Sequence, residues 1–71
     1  MRIKVETEVA GKVWKIETVV GQAVAADDTL IVIESMKMEI PVPAPRAGTV
    51  AEITVAEGDS VAEGQVVILL D

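Results

Sequence analysis

Lys37 is the residue of this chain whose neighbours suggest chemistry. It lies in the segment Ser35-Met36-Lys37-Met38-Glu39, between two methionines. A lysine presents a primary amine on a long and flexible stem. The other usual catalytic groups are scarce, since the 71 residues include no cysteine and no histidine. This composition argues against thiol nucleophiles, imidazole acid–base catalysis and ordinary zinc sites.

The overall charge of the chain narrows the class of protein further. Twelve acidic and 6 basic residues give a net charge of -6, whereas a nucleic-acid binder needs a basic face. No apolar run reaches the roughly 18 residues of a membrane span. The segment Met1–Glu6 is charged and alternating, unlike a secretory signal. We expect one small cytoplasmic domain, without nucleic-acid binding or membrane insertion.

The elements that position Lys37 are predicted to be strands. Valine, isoleucine and threonine supply 25 β-branched residues, which suit a pleated surface. Apolar or β-branched residues alternate from Ile3 to Val9, and Thr29–Ile33 and Val66–Leu70 are nearly continuous apolar runs. Glycine and aspartate signals separate these segments, at Gly11, Gly21, Asp27-Asp28, Gly48, Gly58-Asp59 and Gly64. The pattern predicts an all-β domain of about eight short strands.

The chain also contains an internal repeat. Residues 3–34 align with residues 40–71 without a gap, and ten of the 32 aligned positions are identical. Units this short cannot bury a hydrophobic face alone, so we expect them to pack about a pseudo-twofold axis into a closed sandwich. If strand 29–34 forms a hairpin with strand 40–44, the symmetry pairs strand 66–71 with strand 3–7.

The five residues between the two repeat units are centred on Lys37, which places it at the tip of this hairpin. Two-residue hairpin loops require positive φ values and favour Asn-Gly, so Met36-Lys37 is a poor choice for stability. A local rule broken in this way indicates a functional site. Both methionines cannot be fully buried at a tip. Glu34 and Glu39 are expected to form a cross-strand solubilising pair or a counter-charge for Lys37.

At this point the sequence resembles the biotinyl/lipoyl attachment domains. Glu34-Ser35-Met36-Lys37-Met38 is similar to their (Glu)-(Ala/Ser)-Met-Lys-Met biotin-attachment motif, and the flanks agree across nearly the whole chain. These flanks are Gly11-x-Val13-x-x-Ile16, Gly21-x-x-Val24, Leu30-x-x-Ile33-Glu34 and Pro43-x-x-x-x-Gly48-x-Val50. The resemblance implies a flattened eight-strand barrel-sandwich of two four-stranded antiparallel sheets, with Lys37 on an exposed tight turn.

The resemblance also implies a function for residues 1–71 as a single biotinyl domain. Lys37 would form an amide with biotin, Met36 and Met38 would be recognised by a biotin protein ligase, and Glu34 and Ser35 would supply the hairpin context. The domain would be a non-catalytic carrier that serves biotin carboxylase and carboxyltransferase subunits. It would move a carboxyl group between their active sites in a biotin-dependent carboxylase, decarboxylase or transcarboxylase. No metal is implied, and the acidic segments 27–28 and 57–59 are interpreted as turns.

Two other functions remain open at this point. A lipoyl carrier shares the fold and the lysine, although lipoyl sites usually have Asp-Lys-Ala, so lipoate is kept as a minor alternative cofactor. An unmodified barrel that acts as a structural adaptor would lack the lysine motif. Trp14 is predicted to be a partly buried strand residue, and the alternating Pro41, Pro43 and Pro45 predict an edge strand.

Overall fold

Eight short strands, without a helix, build the part of the chain that the structure describes. The structure is a computed structural model that describes residues 2–71, so Met1 lies outside it. In chain order the strands are β1 (Ile3–Glu6), β2 (Gly11–Ile16), β3 (Ala23–Val24), β4 (Thr29–Ser35), β5 (Met38–Pro43), β6 (Gly48–Ile53), β7 (Ser60–Val61) and β8 (Val66–Leu70). The predicted all-β fold is confirmed. No helix in residues 2–71 is long and apolar enough to cross a membrane.

The strands form two four-stranded antiparallel sheets that the repeat exchanges. One sheet has the order β1-β8-β6-β3 and the other has the order β5-β4-β2-β7. The 37-residue offset relates β1 to β5, β2 to β6, β3 to β7 and β4 to β8, so each sheet is the symmetry mate of the other. The predicted barrel-sandwich with a pseudo-twofold repeat is therefore confirmed. It is elongated, with extents of 32 × 17 × 17 Å.

Hydrogen bonds between the repeats follow the same symmetry. The Gly21 amide donates to the Val50 carbonyl at 2.8 Å, and the Gly58 amide donates to the Val13 carbonyl at 2.8 Å. These residues are equivalent pairs at the 37-residue offset. Each repeat therefore supplies a turn that satisfies the main chain of the other, which explains why neither unit is complete alone.

The Lys37 hairpin and the two chain termini lie at opposite ends of the molecule. β4 pairs with β5 and β1 pairs with β8, as predicted, so the termini come together. β2 runs away from the hairpin, because Lys12 pairs with Glu34 and Ile16 pairs with Ile31. The turn after β2 bonds to Val50, and Val50 pairs with Leu70 beside the C-terminus. The far end from Lys37 is thus the end of the termini.

The core between the sheets is aliphatic and obeys the repeat. Most of its members occur as symmetry pairs, such as Val13 with Val50 and Ile31 with Ile68. The buried hydrophobic residues are Val5, Val13, Val24, Leu30, Ile31, Ile33, Val42, Ala44, Val50, Val61, Val67, Ile68 and Leu70. Trp14 is not among them, since it lies on β2 beside a register shift with 49% of its surface exposed. In each apolar run three residues are buried, namely Leu30, Ile31 and Ile33 in β4 and their equivalents Val67, Ile68 and Leu70 in β8.

Prolines protect one exposed sheet edge. β5 is an edge strand of its sheet, as the alternating prolines predict, and Pro41 and Pro43 lie within it. Because proline has no amide hydrogen, these two positions cannot donate to a strand from another molecule. This edge is therefore a poor template for strand addition.

Two glycines have a different role from the one predicted. The pattern predicts separators between segments at Gly11 and Gly48, but they are the first residues of β2 and β6. A Cβ at Gly48 would lie 2.6 Å from the Asp71 carbonyl oxygen, and a Cβ at Gly11 would collide with the Glu34 carbonyl oxygen. They are needed because two main chains approach closely there. The other three glycines have positive φ and do occupy turns.

Asp27 occupies a backbone conformation that its symmetry mate Gly64 adopts more easily. Their φ values are 72° and 82°, as the repeat predicts. We expect Asp27→Gly to leave the free energy of unfolding within about 0.5 kcal/mol or to raise it slightly, because relief of left-handed strain offsets the greater entropy of unfolded glycine. Thermal unfolding measures this, with Gly64→Asp as the reverse control. A clear fall in melting temperature for Asp27→Gly would contradict the prediction.

Candidate functional site

The candidate site is the two-residue turn between β4 and β5. Ser35 pairs with Met38 across the hairpin, which leaves Met36 and Lys37 as the loop. Their φ values are 53° and 65°, and positive φ at both central residues is the mark of a type I′ turn. Neither side chain suits this conformation, which costs an L-residue about 1–2 kcal/mol. The predicted conflict between sequence and turn geometry is confirmed, and pairing of the flanking strands enforces the turn.

All three residues of the Met-Lys-Met segment are exposed. Met36 has 92% of its surface accessible and Met38 has 63%. The prediction that the two methionines cannot both be buried is confirmed, and in fact both are exposed. Lys37 is exposed between them. The ion pairs within residues 2–71 join Arg2 to Asp71 and Lys15 to Glu17, so Lys37 takes part in neither. Lys37 is therefore presented to solvent between two exposed thioether side chains.

A pair of carboxylates flanks the turn on the strand side. Glu34 and Glu39 lie directly opposite each other in the register of β4 and β5, and both are exposed. The predicted cross-strand pair is confirmed as a placement, but neither glutamate forms an ion pair with Lys37. The symmetry-related position at the termini holds the ion pair Arg2–Asp71, with Nε and Oδ1 3.2 Å apart. The hairpin thus has like charges where the termini have opposite charges.

β2 supports the base of the hairpin from the other side. Lys12 is the register partner of Glu34, and Gly11 precedes it at the close contact with β4. Ser35 is half-buried where β4 ends. Because β4 is held between β5 and β2, the turn projects from a fixed strand, while the side chains at its tip are free to move. This arrangement can present one amine, and any group attached to it, at a defined point on a rigid body.

The strain in the turn can be tested directly. The double variant Met36→Asn/Lys37→Gly introduces the residues that a type I′ turn favours. We expect it to raise the free energy of unfolding by about 1–2 kcal/mol, which is a rise of about 5–10 °C in melting temperature for a domain of this size. Met36→Ala/Lys37→Ala is the matched control, because it keeps two L-residues at positive φ. Equal stabilities of the two variants would contradict the strain.

A groove that sequence reasoning missed runs between two edge strands, one from each sheet. It has a volume of about 550 Å³ and lies between β1 and β5. Its lining includes Glu6, Glu8 and Asp27 against Lys4, with prolines on the opposite wall. Such a groove depends on the distance between two strand edges in the folded protein, so no local sequence pattern predicts it. Nowhere in residues 2–71 do three or more acidic side chains converge in an arrangement that could hold a metal ion.

Comparison with known proteins gives a consistent family. The family model described as "Biotin-requiring enzyme", for biotin/lipoyl domains, matches residues 1–70. The biotin/lipoyl attachment protein of Bacillus subtilis is 41% identical over 66 residues, which cover 93% of this chain and 90% of that protein. The dihydrolipoyllysine-residue acetyltransferase component of the pyruvate dehydrogenase complex of Cupriavidus necator is 39% identical over 51 residues. That match covers 72% of this chain and 9% of the relative.

The fold has a close counterpart among solved structures. The urea carboxylase of Kluyveromyces lactis superposes with a TM-score of 0.95 at 35% sequence identity, covering 100% of this chain and only 6% of that one. The chain thus corresponds to one small part of the large enzyme and to nearly the whole of the Bacillus subtilis protein. The family model covers nearly all of the sequence and the Bacillus subtilis relative matches it along nearly its whole length, so the chain belongs to the biotin/lipoyl attachment domain family.

Proposed function

We propose that the chain is a carrier of covalently attached biotin, joined through an amide between Lys37 Nζ and the carboxyl group of biotin. The observation that carries the proposal is the exposed Lys37 at the tip of a strained two-residue turn, between two exposed methionines. The family membership of the chain supports the same conclusion. The residues present suit the group, because acylation of Lys37 needs an accessible amine and no further ligand.

The geometry favours transport by a swinging arm. A biotinyl-lysine side chain spans about ten single bonds, so its ring can lie on the order of 12 Å from the backbone. Biotin supplies the carboxyl-carrying chemistry when bound, and the protein supplies presentation. The hairpin and the chain termini lie at opposite ends of a molecule 32 Å long, so a neighbouring domain or subunit at the termini would leave the arm clear. A tethered arm would be held at high effective concentration for two active sites in turn.

Met36 and Met38 are proposed to be the residues that a biotin protein ligase recognises. Exposed methionine is an adaptable apolar side chain, and apolar side chains at 92% and 63% exposure contribute nothing to the core. Contact with a ligase would bury them while the turn holds Lys37 forward. Glu34 and Glu39 add negative charge to the same end of the domain, which suits a partner with a basic rim.

The proposed partners after loading are biotin carboxylase and carboxyltransferase subunits. The similarity to part of a urea carboxylase supports this class of partner. The carrier itself would be non-catalytic, because its sequence contains neither histidine nor cysteine to act on a substrate. The acceptor of the carboxyl group would then be chosen by the transferase rather than by this chain.

Lipoate on the same lysine is the second candidate. The similarity to a dihydrolipoyllysine-residue acetyltransferase component favours it, and an exposed amine on a hairpin tip suits either acid. The Met-Lys-Met segment, which resembles the biotin motif, gives biotin the stronger support. An unmodified adaptor barrel has less support than either carrier function, because it would not explain the strained turn that exposes Lys37.

Intact mass after enzymatic loading tests the proposal. Purified chain is incubated with ATP and either biotin protein ligase plus biotin or lipoate ligase plus lipoate. We expect one biotinyl group per chain with the first ligase and little or no loading with the second. Preferential lipoylation would establish the second candidate instead. A chain that neither ligase modifies would overturn both carrier functions.

A further inference from the structure

The sulfur atoms of this protein are concentrated beside Lys37. The sequence holds three methionines and no cysteine, and Met36 and Met38 immediately flank the lysine. After thiols, exposed thioethers are the side chains that peroxides oxidise most readily, and their product is a sulfoxide. With 92% and 63% of their surfaces exposed, these two methionines are open to solvent. The third methionine, Met1, lies outside the described residues.

Oxidation at these two positions would leave the fold intact. The buried hydrophobic residues of residues 2–71 are valine, leucine, isoleucine and alanine, so no methionine packs in that core. The turn is held by main-chain pairing of Ser35 with Met38 and of Glu34 with Glu39, not by the thioether groups. Methionine sulfoxide damages many proteins because it disrupts a packed interior. Here the change in polarity is confined to the surface that surrounds one lysine.

We propose that Met36 and Met38 form a redox-sensitive modification site that controls the loading of Lys37. The inference rests on the proposed carrier function. A peroxide transfers one oxygen atom to each sulfur: its O–O bond breaks, an S–O bond forms, the sulfur is oxidised by two electrons and the peroxide leaves as water or an alcohol. Two thiols of a sulfoxide reductase reverse the step and become a disulfide, and the oxygen leaves as water.

The effect on loading follows from the polarity of the sulfoxide. Recognition would bury both side chains against the ligase, and a sulfoxide oxygen buried without a hydrogen-bond donor is unfavourable. Glu34 and Glu39 form the register pair next to Ser35 and Met38, and their carboxylates are acceptors only, so they cannot satisfy a sulfoxide oxygen. We expect kcat/KM for ligation of the oxidised chain to fall about 10-fold or more, the usual scale for an unsatisfied buried polar group.

The first part of the test measures where oxygen is added. The unloaded full chain is treated with hydrogen peroxide, and intact mass and peptide mapping follow the added oxygen atoms. We expect Met36 to be oxidised faster than Met38, in the order of their exposure, and the melting temperature to change little. Oxidation that unfolds the chain, or that spares both positions, would overturn the inference.

The second part compares ligation of untreated, oxidised and reductase-treated chains by the ligase that loads the untreated protein. We expect loss of rate on oxidation and recovery after methionine sulfoxide reductase. The variant Met36→Leu/Met38→Leu is the control, because its own rate, whatever its value, is expected not to respond to peroxide. Equal rates for oxidised and untreated chains would overturn this inference alone. An untreated chain that no ligase loads would overturn the proposed function and the inference together.

Discussion

Replacing Lys37 by arginine is expected to abolish covalent loading of the chain completely. Arginine keeps the positive charge and most of the length of lysine, but its guanidinium is always protonated and does not act as an acyl acceptor. Lys37 is exposed at a main-chain φ of 65°, and arginine meets the same backbone strain there. The folded structure should therefore be unchanged, with a melting temperature close to that of the original chain. Intact mass after incubation with ligase, biotin and ATP is the measurement.

Lys12→Arg is the matched control for this experiment. Lys12 is an exposed lysine on β2 that pairs with Glu34, so it lies near the same hairpin but outside the turn. We expect this variant to accept one group per chain at the original rate. Loading of the Lys37→Arg chain would mean that another amine is the acceptor. Loss of loading in the Lys12→Arg chain would mean that the loss seen for Lys37→Arg is not specific to Lys37.

Much of the fold could be predicted because the internal repeat extends each structural prediction for one unit to the equivalent residues of the other. A hairpin between residues 29–34 and 40–44 implies, through the symmetry, the pairing of the two ends of the chain, and both pairings are present. The positive φ of Asp27 follows in the same way from its equivalence to Gly64. The strained turn at Met36-Lys37 was also predictable, because a hairpin loop of only two residues requires positive φ values whatever its side chains are.

Other features depend on distances between elements that no local pattern encodes. A register shift between β2 and β4 lies at Trp14, whose surface is half exposed. The Glu57 carboxylate accepts a hydrogen bond from the Ile16 amide at 3.0 Å, across 41 residues of sequence. The groove between β1 and β5 and the close approach at Gly11 belong to the same class. The register shift and the Gly11 contact depend on how β2 and β4 pack within one repeat, whereas the groove and the Glu57 hydrogen bond depend on how the two repeats pack together.

The two symmetry-related ends of the domain differ in their charge pairing. At the termini, Arg2 and Asp71 form an ion pair, whereas the equivalent hairpin position has Glu34 opposite Glu39. Like charges in direct register are destabilising, and so are two L-residues in a type I′ turn. The hairpin therefore accepts local strain and repulsion, and the aliphatic core and the exchange of hydrogen bonds between repeats must offset both. A stable support is consequently a requirement for presenting Lys37.

Gly11→Ala is expected to be the most destabilising single-methyl change near the site. The new Cβ would collide with the Glu34 carbonyl oxygen and lie 2.9 Å from Ile33 Cγ2 and 3.1 Å from the Glu34 carbonyl carbon. Two of these atoms belong to the main chain of β4, which is paired on both sides and cannot move alone. Overpacking of this kind costs about 3 kcal/mol. That is a fall of about 15 °C in melting temperature for a domain of this size.

The symmetry mate Gly48 provides the control for Gly11, because it separates the steric effect from any general preference for glycine. A Cβ at Gly48 would meet one atom within 3 Å, the Asp71 carbonyl oxygen at 2.6 Å, and the next atom is 3.7 Å away. Asp71 lies beyond the end of β8, where two hydrogen bonds with Thr49 hold its main chain, whereas Glu34 is inside β4 between two paired strands. The obstruction at Gly48 can therefore yield more easily. We therefore expect Gly48→Ala to cost about 1 kcal/mol, near the lower limit for overpacking. Urea unfolding of both variants measures the difference. Equal losses, or a Gly11→Ala chain as stable as the original, would show that β2 can withdraw from β4 without cost, and the hairpin would then lack the rigid base that its presentation of Lys37 requires.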